Sequence, residues 1–424
     1  MDKLLHISLI TSLVVATSYA KDDTTQVRER IPSVKKVVGN IGKTEDKEIS
    51  TVDQFKHMFS DAKITGQIRA MYAGYDYKDV TQVDTYASAF GGGLKYELAS
   101  LYGFNGAVAF KTSQDIGFIS GEDEKHNPEL SSSKGNYTDI SEAYINYNYR
   151  DFNFKAGRQT LDTPLADSDD IRMIMNTFEA YMATYSFNGF HFLAGNIQKW
   201  QGYDAGLDDG WVKAGKDGAN VAGVSYEDEI VKFGAWYYNI SKLSDIFYTD
   251  LHVDYRFDKD FSIHVGLQYL KENELENSAV EAEIYGGMVE FVAFGLGFNF
   301  AYNNSSAKPG KASFSGTGGG TLFTSMDTMI LDEIAIDRDA SSMVAGLSYT
   351  IDDFSLLYAY GDFKGDENTM AQKAHIVEQD IGCGYNVDDE FIVAAIYVLE
   401  EDRENSSYSE NDWNRLQVMI NYNF

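Results

Sequence analysis

Apolar and polar side chains alternate with a period of two through most of this chain. Leu251, Val253, Tyr255 and Phe257 fall on one face of a run, and Asp250, His252, Asp254 and Arg256 on the other. The next run sets Phe261, Ile263, Val265, Leu267 and Tyr269 against Ser262, His264, Gly266 and Gln268. The last run sets Asn414, Leu416, Val418, Ile420, Tyr422 and Phe424 against Trp413, Arg415, Gln417, Met419, Asn421 and Asn423. Successive side chains of a strand point to opposite faces, so each run predicts a strand with one apolar and one polar face.

From residue 63 onward, strands alternate with connections, and short connections alternate with long ones. The short ones lie at 98–101, 150–151, 188–189, 227–228, 258–260, 292–293, 351–353 and 387–389, with turn signals such as Asn188-Gly189 and Asp-rich pairs. The long ones include 114–139, 161–176, 201–218, 304–340 and 401–412. Eight short turns and nine longer loops predict about eighteen strands with both ends on one side, the asymmetry of bacterial outer-membrane barrels. A soluble sandwich shares the alternation but has sheet edges and turns its charged face to bulk water. So many long strands favour an all-β, transmembrane, antiparallel up-and-down barrel around an open aqueous lumen.

Mean hydropathy is −0.32. Taken alone, that value reads as a soluble secreted protein, but a barrel shows lipid only every second residue. Tyr 29 and Phe 26 suit aromatic girdles, and all four prolines (Pro32, Pro128, Pro164, Pro309) fall outside the predicted strands, as ladder hydrogen bonding requires. A net charge of −30 argues against nucleic acid as a partner. Cys383 is the sole cysteine, which excludes an intramolecular disulfide and reads as a small apolar strand residue.

The first residues read as a secretory signal peptide, residues 1–20: Lys3, an apolar run over 4–16, then Ser18-Tyr19-Ala20 as the cleavage site. Residues 21–62 are charged and lack strand patterning. Ser50 and Asp53 form a capping pair, and Phe55, Met58, Phe59 and Ala62 share a helical face. The reading is a periplasmic extension with a short amphipathic helix, a tether rather than a plug in the pore, ahead of a barrel over 63–424.

The final strand resembles the closing strand of Gram-negative outer-membrane barrels, whose terminal Phe, here Phe424, is read by the barrel assembly machinery. A second resemblance is more specific. Gly157, Arg158 and Gln159 precede Asp162, Thr163 and Pro164, then Arg172 and Met173, then Asn176, Thr177, Phe178 and Glu179. This segment resembles the OprD family of substrate-selective porins, weaker resemblance runs through 64–72 and 140–149, and the pattern extends it over 63–424. The resemblance implies a monomer or loose homotrimer among outer-membrane lipids and lipopolysaccharide, with an inward-folded third loop. It also implies a row of basic residues on one wall, and substrates that are small carboxylates such as amino acids, short peptides or aromatic acids. No cofactor is implied.

Residues 161–176 lack alternation, contain Pro164, and crowd Asp162, Asp167, Asp169 and Asp170 close to Arg172. Opposed charges across a narrow pore make a transverse field that orients solutes, so these five residues are the expected constriction. Parity selects Arg69, Lys95, Lys111, Lys155, Lys232, Arg256 and Arg415 as pore-lining bases. Arg158 shares parity with the outward Phe152 and Phe154, so its place in the pore rests on the motif and needs a bulge near Gly157. Inward parity also collects Glu142, Asp250, Asp254, Glu281, Glu283, Glu378 and Asp380. The lumen is therefore expected to be mixed or net acidic, which puts a strict carboxylate preference in question and admits a cation-preferring pore.

No Gly-x-Ser-x-Gly element and no grouping of nucleophile, base and orienter is visible, so the chain is not read as an enzyme. His252 and His264 read as lumen lining. Asp204, Asp208, Asp209 and Gly210 lack EF-hand spacing, and no metal site is assigned. The glycine-rich 316–321 reads as a flexible external segment. The expected function is passive or facilitated diffusion of small hydrophilic solutes and ions through a charge-lined channel. The rival is a structural or adhesive barrel acting through its external loops, which an outward-folded 161–176 would favour.

Overall fold

The computed structural model describes residues 51–79, 81–314, 316–318, 320–404 and 412–424. The expected signal peptide, residues 1–20, and residues 21–50 lie outside the described residues. Eighteen strands make the wall: Lys63–Tyr77 (β1), Thr85–Glu97 (β2), Phe104–Asp115 (β3), Asn136–Tyr149 (β4), Phe152–Gln159 (β5), Thr177–Phe187 (β6), Phe190–Gln201 (β7), Ala219–Glu227 (β8), Val231–Ile240 (β9), Ser244–Arg256 (β10), Phe261–Glu274 (β11), Ala282–Ala293 (β12), Leu296–Ala307 (β13), Ala340–Ile351 (β14), Phe354–Gly365 (β15), Ala374–Asn386 (β16), Phe391–Asp402 (β17) and Trp413–Asn423 (β18). Each pairs antiparallel with its chain neighbour, and β1 pairs with β18 from Gln67↔Asn423 to Tyr77↔Trp413. Closure leaves no sheet edge. Phe424 extends the seam: its N–H donates to the Gly66 carbonyl at 3.0 Å, and Gly66 N–H donates to the Phe424 carbonyl at 2.9 Å.

The period-two pattern becomes the two faces of the wall. Leu267 is 57 % exposed outside while neighbouring Gln268 is 5 % exposed inside. Three short turns share one device. Asp228, Asp258 and Asp388 each accept two turn N–H groups through Oδ1, those of Ile230 and Val231, Asp260 and Phe261, and Glu390 and Phe391, at 2.7–3.0 Å. Such an Asx contact fixes the turn without a helix or extra strand. Asn188 (φ 48) and Gly189 (φ 80) make the left-handed hairpin that their dipeptide predicts. The turn expected at 292–293 forms instead at Phe294 (φ 52) and Gly295 (φ 77).

The helix Thr51–Ser60 (α1) sits at the short-turn end. Ala99 N–H, in the turn between β2 and β3, donates to the Met58 carbonyl at 3.0 Å. The outward Tyr96 hydroxyl donates to the Phe59 carbonyl at 2.9 Å.

Besides the loop between β3 and β4, whose Glu129 and Leu130 are buried against the inner wall, two loops fold inward. Residues 160–176 carry a small hairpin, Asp162–Thr163 against Ala166–Asp167. Residues 308–339, expected to be external, also enter the lumen. Their glycine-rich part docks on the third loop: Thr317 N–H and Oγ1 both donate to the Leu165 carbonyl at 2.9 Å. Leu165, Leu322, Met326, Met329 and Leu331 are buried in one cluster with inward Phe178, Tyr238, Tyr248 and Val344. Apolar burial thus holds both loops against the inner wall. This corrects the expected all-aqueous lumen, because part of the interior is a packed core.

Candidate functional site: the pore constriction

The inward bases gather on one arc. Arg415 (β18), Arg69 (β1), Lys95 (β2), Lys111 (β3) and Lys155 (β5) come from strands that are consecutive around the ring apart from β4. Asp250 and Asp254 (β10), Glu272 (β11), Glu290 (β12), Glu378 and Asp380 (β16), and Glu400 and Asp402 (β17) lie on the other arc. Within the acidic arc the inward cations Lys232 and Arg256 sit at the short-turn end. Lys232 is 3.0 Å from Glu227 and 3.7 Å from Asp254. Arg256 is exposed there.

The two infolded loops tie these arcs together. Arg69 donates to both Asp170 oxygens, at 2.9 and 3.1 Å, and to the Arg172 carbonyl. Arg172 reaches Glu129 at 3.2 Å and Asp327 at 3.1 Å. Arg415 pairs with Asp327 at 2.6 Å and with Glu129. Two guanidiniums and two carboxylates thus close a buried ring contributed by β18 and three different loops. On β16, two strands round the ring from Arg415, Glu378 accepts from Thr328 N–H at 3.1 Å and Met329 N–H at 2.7 Å, while Asp380 accepts from Asp327 N–H at 3.3 Å. A lone buried charge is costly, and here each is met by an opposite charge or by amide donors.

Beside the ring lies a cavity of about 580 Å³. Tyr75, Tyr77, Trp200, Tyr203 and Trp413 supply rings, while Asp169, Asp204, Asp327, Glu333 and Glu400 supply carboxylates, and Arg172 is its one cation among the described residues. Burial pushes the Asp169 carboxyl up to about 7 against the opposing pull of Arg172. Burial, with Glu378 and Asp332 adding repulsion, raises Glu333 to about 7.

The expected residues fall into three groups. Asp169, Asp170 and Arg172 lie at the constriction, whereas Asp162 is exposed on the hairpin and Asp167 is half-buried there. Lys95 pairs with Glu142 at 2.9 Å. Lys155 sits 4.7 Å from the centre of the Tyr144 ring. Lys111 is buried and its Nζ has no hydrogen-bond partner among the described residues. Asp250 meets His252 at 3.0 Å, and Asp254 meets His264 at 2.6 Å. His252 and His264 are themselves 3.0 Å apart.

Three expectations are corrected. Arg158 stays on the outward parity of Phe152 and Phe154, opposite Ala143 and Glu179 without a register shift at Gly157. It lies 4.4 Å from the Trp211 ring and donates to the Ile140 carbonyl at 3.2 Å. Glu283 also faces outward, accepting from the outward Tyr269 hydroxyl at 2.8 Å. Glu281 precedes β12 and pairs with Lys308 of the 308–339 loop. The ladder begins at Ala282, so parity extrapolated past it does not apply. Sequence reasoning missed Glu129, Asp327, Glu333 and Glu400. The first three sit in aperiodic segments that carry no face signal. Glu400 has inward parity in β17 and was open to the same rule that selected Glu378.

No family model matches the sequence, and no curated protein matches it. Solved structures do. OccAB2 of Acinetobacter baumannii superposes with a TM-score of 0.74 at 14% identity, covering 87% of this chain and 99% of that one. OccK1 (OpdK) of Pseudomonas aeruginosa gives 0.72 at 18% identity, covering 87% and 99%. A BenF-like porin from Pseudomonas fluorescens Pf-5 gives 0.73 at 14% identity, covering 87% and 99%. With its closed ring of strands and its inward third loop, the chain has the fold of these OprD-type porins.

Proposed function

We propose that the protein is a porin of a Gram-negative outer membrane, passing small hydrophilic solutes by facilitated diffusion without chemistry or energy input. The observation that carries this reading is the inward course of 161–176, whose Asp170 and Arg172 meet Arg69, Glu129 and Asp327 inside the ring of strands. A barrel acting through external loops has no use for such a constriction. The charge-segregated arcs set a field across the passage, and a field of that kind orients a dipolar solute. Small zwitterions such as amino acids or short peptides fit it best: the carboxylate turns to the basic arc, the ammonium to the acidic arc. The carboxylates around the cavity outnumber its single guanidinium, so among simple ions the pore prefers cations. Liposome swelling with purified protein tests the reading. Faster entry of neutral zwitterionic amino acids than of uncharged sugars of equal size supports it, and equal rates or no swelling overturn it.

A further inference from the structure

The helix α1 has a face that the barrel does not cover. Its first side rests on the wall: Met58 is buried, the Met58 and Phe59 carbonyls accept from Ala99 N–H and Tyr96 Oη, and Tyr102 Oη donates to Gln54 Oε1 at 2.5 Å. Its polar side carries Asp53, Lys56 and His57, with Asp61 just past its end, all more than half exposed. Between them runs an apolar stripe, Val52, Phe55 and Phe59, exposed at 64%, 56% and 49%. Positions 52, 55 and 59 share one helical face, and the two rings meet edge to face at 5.4 Å.

This stripe continues a surface that the strands already present. Tyr96, at the end of β2, is outward and holds the helix by its hydroxyl. Tyr102 in the adjoining turn and Phe104 at the start of β3 are 72% and 51% exposed. These aromatics mark the level where a barrel passes from acyl chains to headgroups. A helix lying flat there, apolar on one side and charged on the other, has the form of an interfacial anchor.

We propose that α1 is a lipid-seated helix, with Val52, Phe55 and Phe59 inserted at the headgroup–acyl boundary of the periplasmic leaflet. It rests on the reading of the barrel as membrane-spanning, and it assigns the helix neither to the pore nor to free tethering.

The test places single cysteines at Phe55, Phe59, His57 and Leu267 in a Cys383→Ser background, each labelled with an environment-sensitive fluorophore in the full-length protein. The variants are reconstituted into vesicles of ordinary or acyl-brominated phosphatidylethanolamine. Seated in lipid, the labels at 55 and 59 lose about half or more of their emission to bromine, as does the label on outward Leu267, while the label at 57 loses about a tenth or less. Quenching at 267 with none at 55 and 59 overturns the proposal and leaves the barrel intact. If those labels are instead shielded from aqueous iodide without bromine quenching, the stripe is covered by a second copy of the chain, which also overturns it. Absence of quenching at 267 overturns the barrel reading and this inference together.

Discussion

Asp327 and Arg415 meet at 2.6 Å, 88 positions apart, and neither side chain is exposed. One comes from the 308–339 loop and the other from the strand that closes the barrel. Asp327 also holds Arg172 at 3.1 Å, so a single carboxylate is shared between two of the cations at the constriction.

Asp327→Asn is therefore expected to do two things at once. Removing one partner of a buried ion pair costs about 3–5 kcal/mol, here charged to the docking of the loop and not to the wall. Arg172 and Arg415 then share Glu129 as their remaining carboxylate, with Gln417 Oε1 still accepting from both. Single-channel recordings should show larger conductance and a shift toward anions. An unchanged conductance and selectivity would mean that the loop does not limit the pore.

The cavity should titrate near neutrality. Asp169 and Glu333 have carboxyls raised to about 7, mainly by burial. They are neutral below that pH and anionic above it, so cation preference should rise between about pH 6 and 8. Asp169→Asn with Glu333→Gln should flatten that rise. The stability sign runs the same way. Between about pH 4 and 7 the folded chain holds these protons and the unfolded chain does not, so their contribution is full at low pH and is lost as pH rises through 7. Proteolytic susceptibility of the 308–339 loop, followed across that range, checks the sign.

Arg158 and Arg415 should behave differently. Arg158 faces outward beside Trp211, and Arg158→Ala should leave the reversal potential where it is. Arg415→Gln removes an inward charge that meets two carboxylates and should move it toward cations. Recordings of both variants in one salt gradient decide between the motif-based and the parity-based placement of Arg158.

That contrast also shows how far the chain could be read directly. Alternation and turn chemistry were enough to expect a closed barrel of about eighteen strands, because lipid-facing and water-facing environments impose a period of two on every span. The same rule placed Arg69, Lys95 and Arg415 on the inner face. Where the motif and the alternation disagreed, at Arg158, the ladder stayed in register and parity prevailed. The inward 308–339 loop was not legible. Its docking depends on scattered contacts, such as Leu322 and Met329 in the core cluster and Thr317 on Leu165, that leave no period in the sequence.

Backbone packing gives a prediction independent of charge. At Gly92 (φ +138) an added Cβ would lie 2.0 Å from the Gln67 carbonyl oxygen, across the β1–β2 pairing. Gly92→Ala must break that ladder or strain the backbone, at a cost of about 1–3 kcal/mol or more. At Gly117 an added Cβ meets nothing within 4 Å. The temperature at which the compact gel band of the folded barrel is lost should fall clearly for Gly92→Ala and stay unchanged for Gly117→Ala.

The measurement that bears most directly on the central claim is the reversal potential of purified, refolded protein in a planar bilayer under a potassium chloride gradient. A water-filled passage lined by a surplus of carboxylates predicts discrete conductance steps with a reversal potential on the cation side. A correctly folded, inserted barrel that produces no steps would contradict the account, and would leave a barrel that the two infolded loops keep closed.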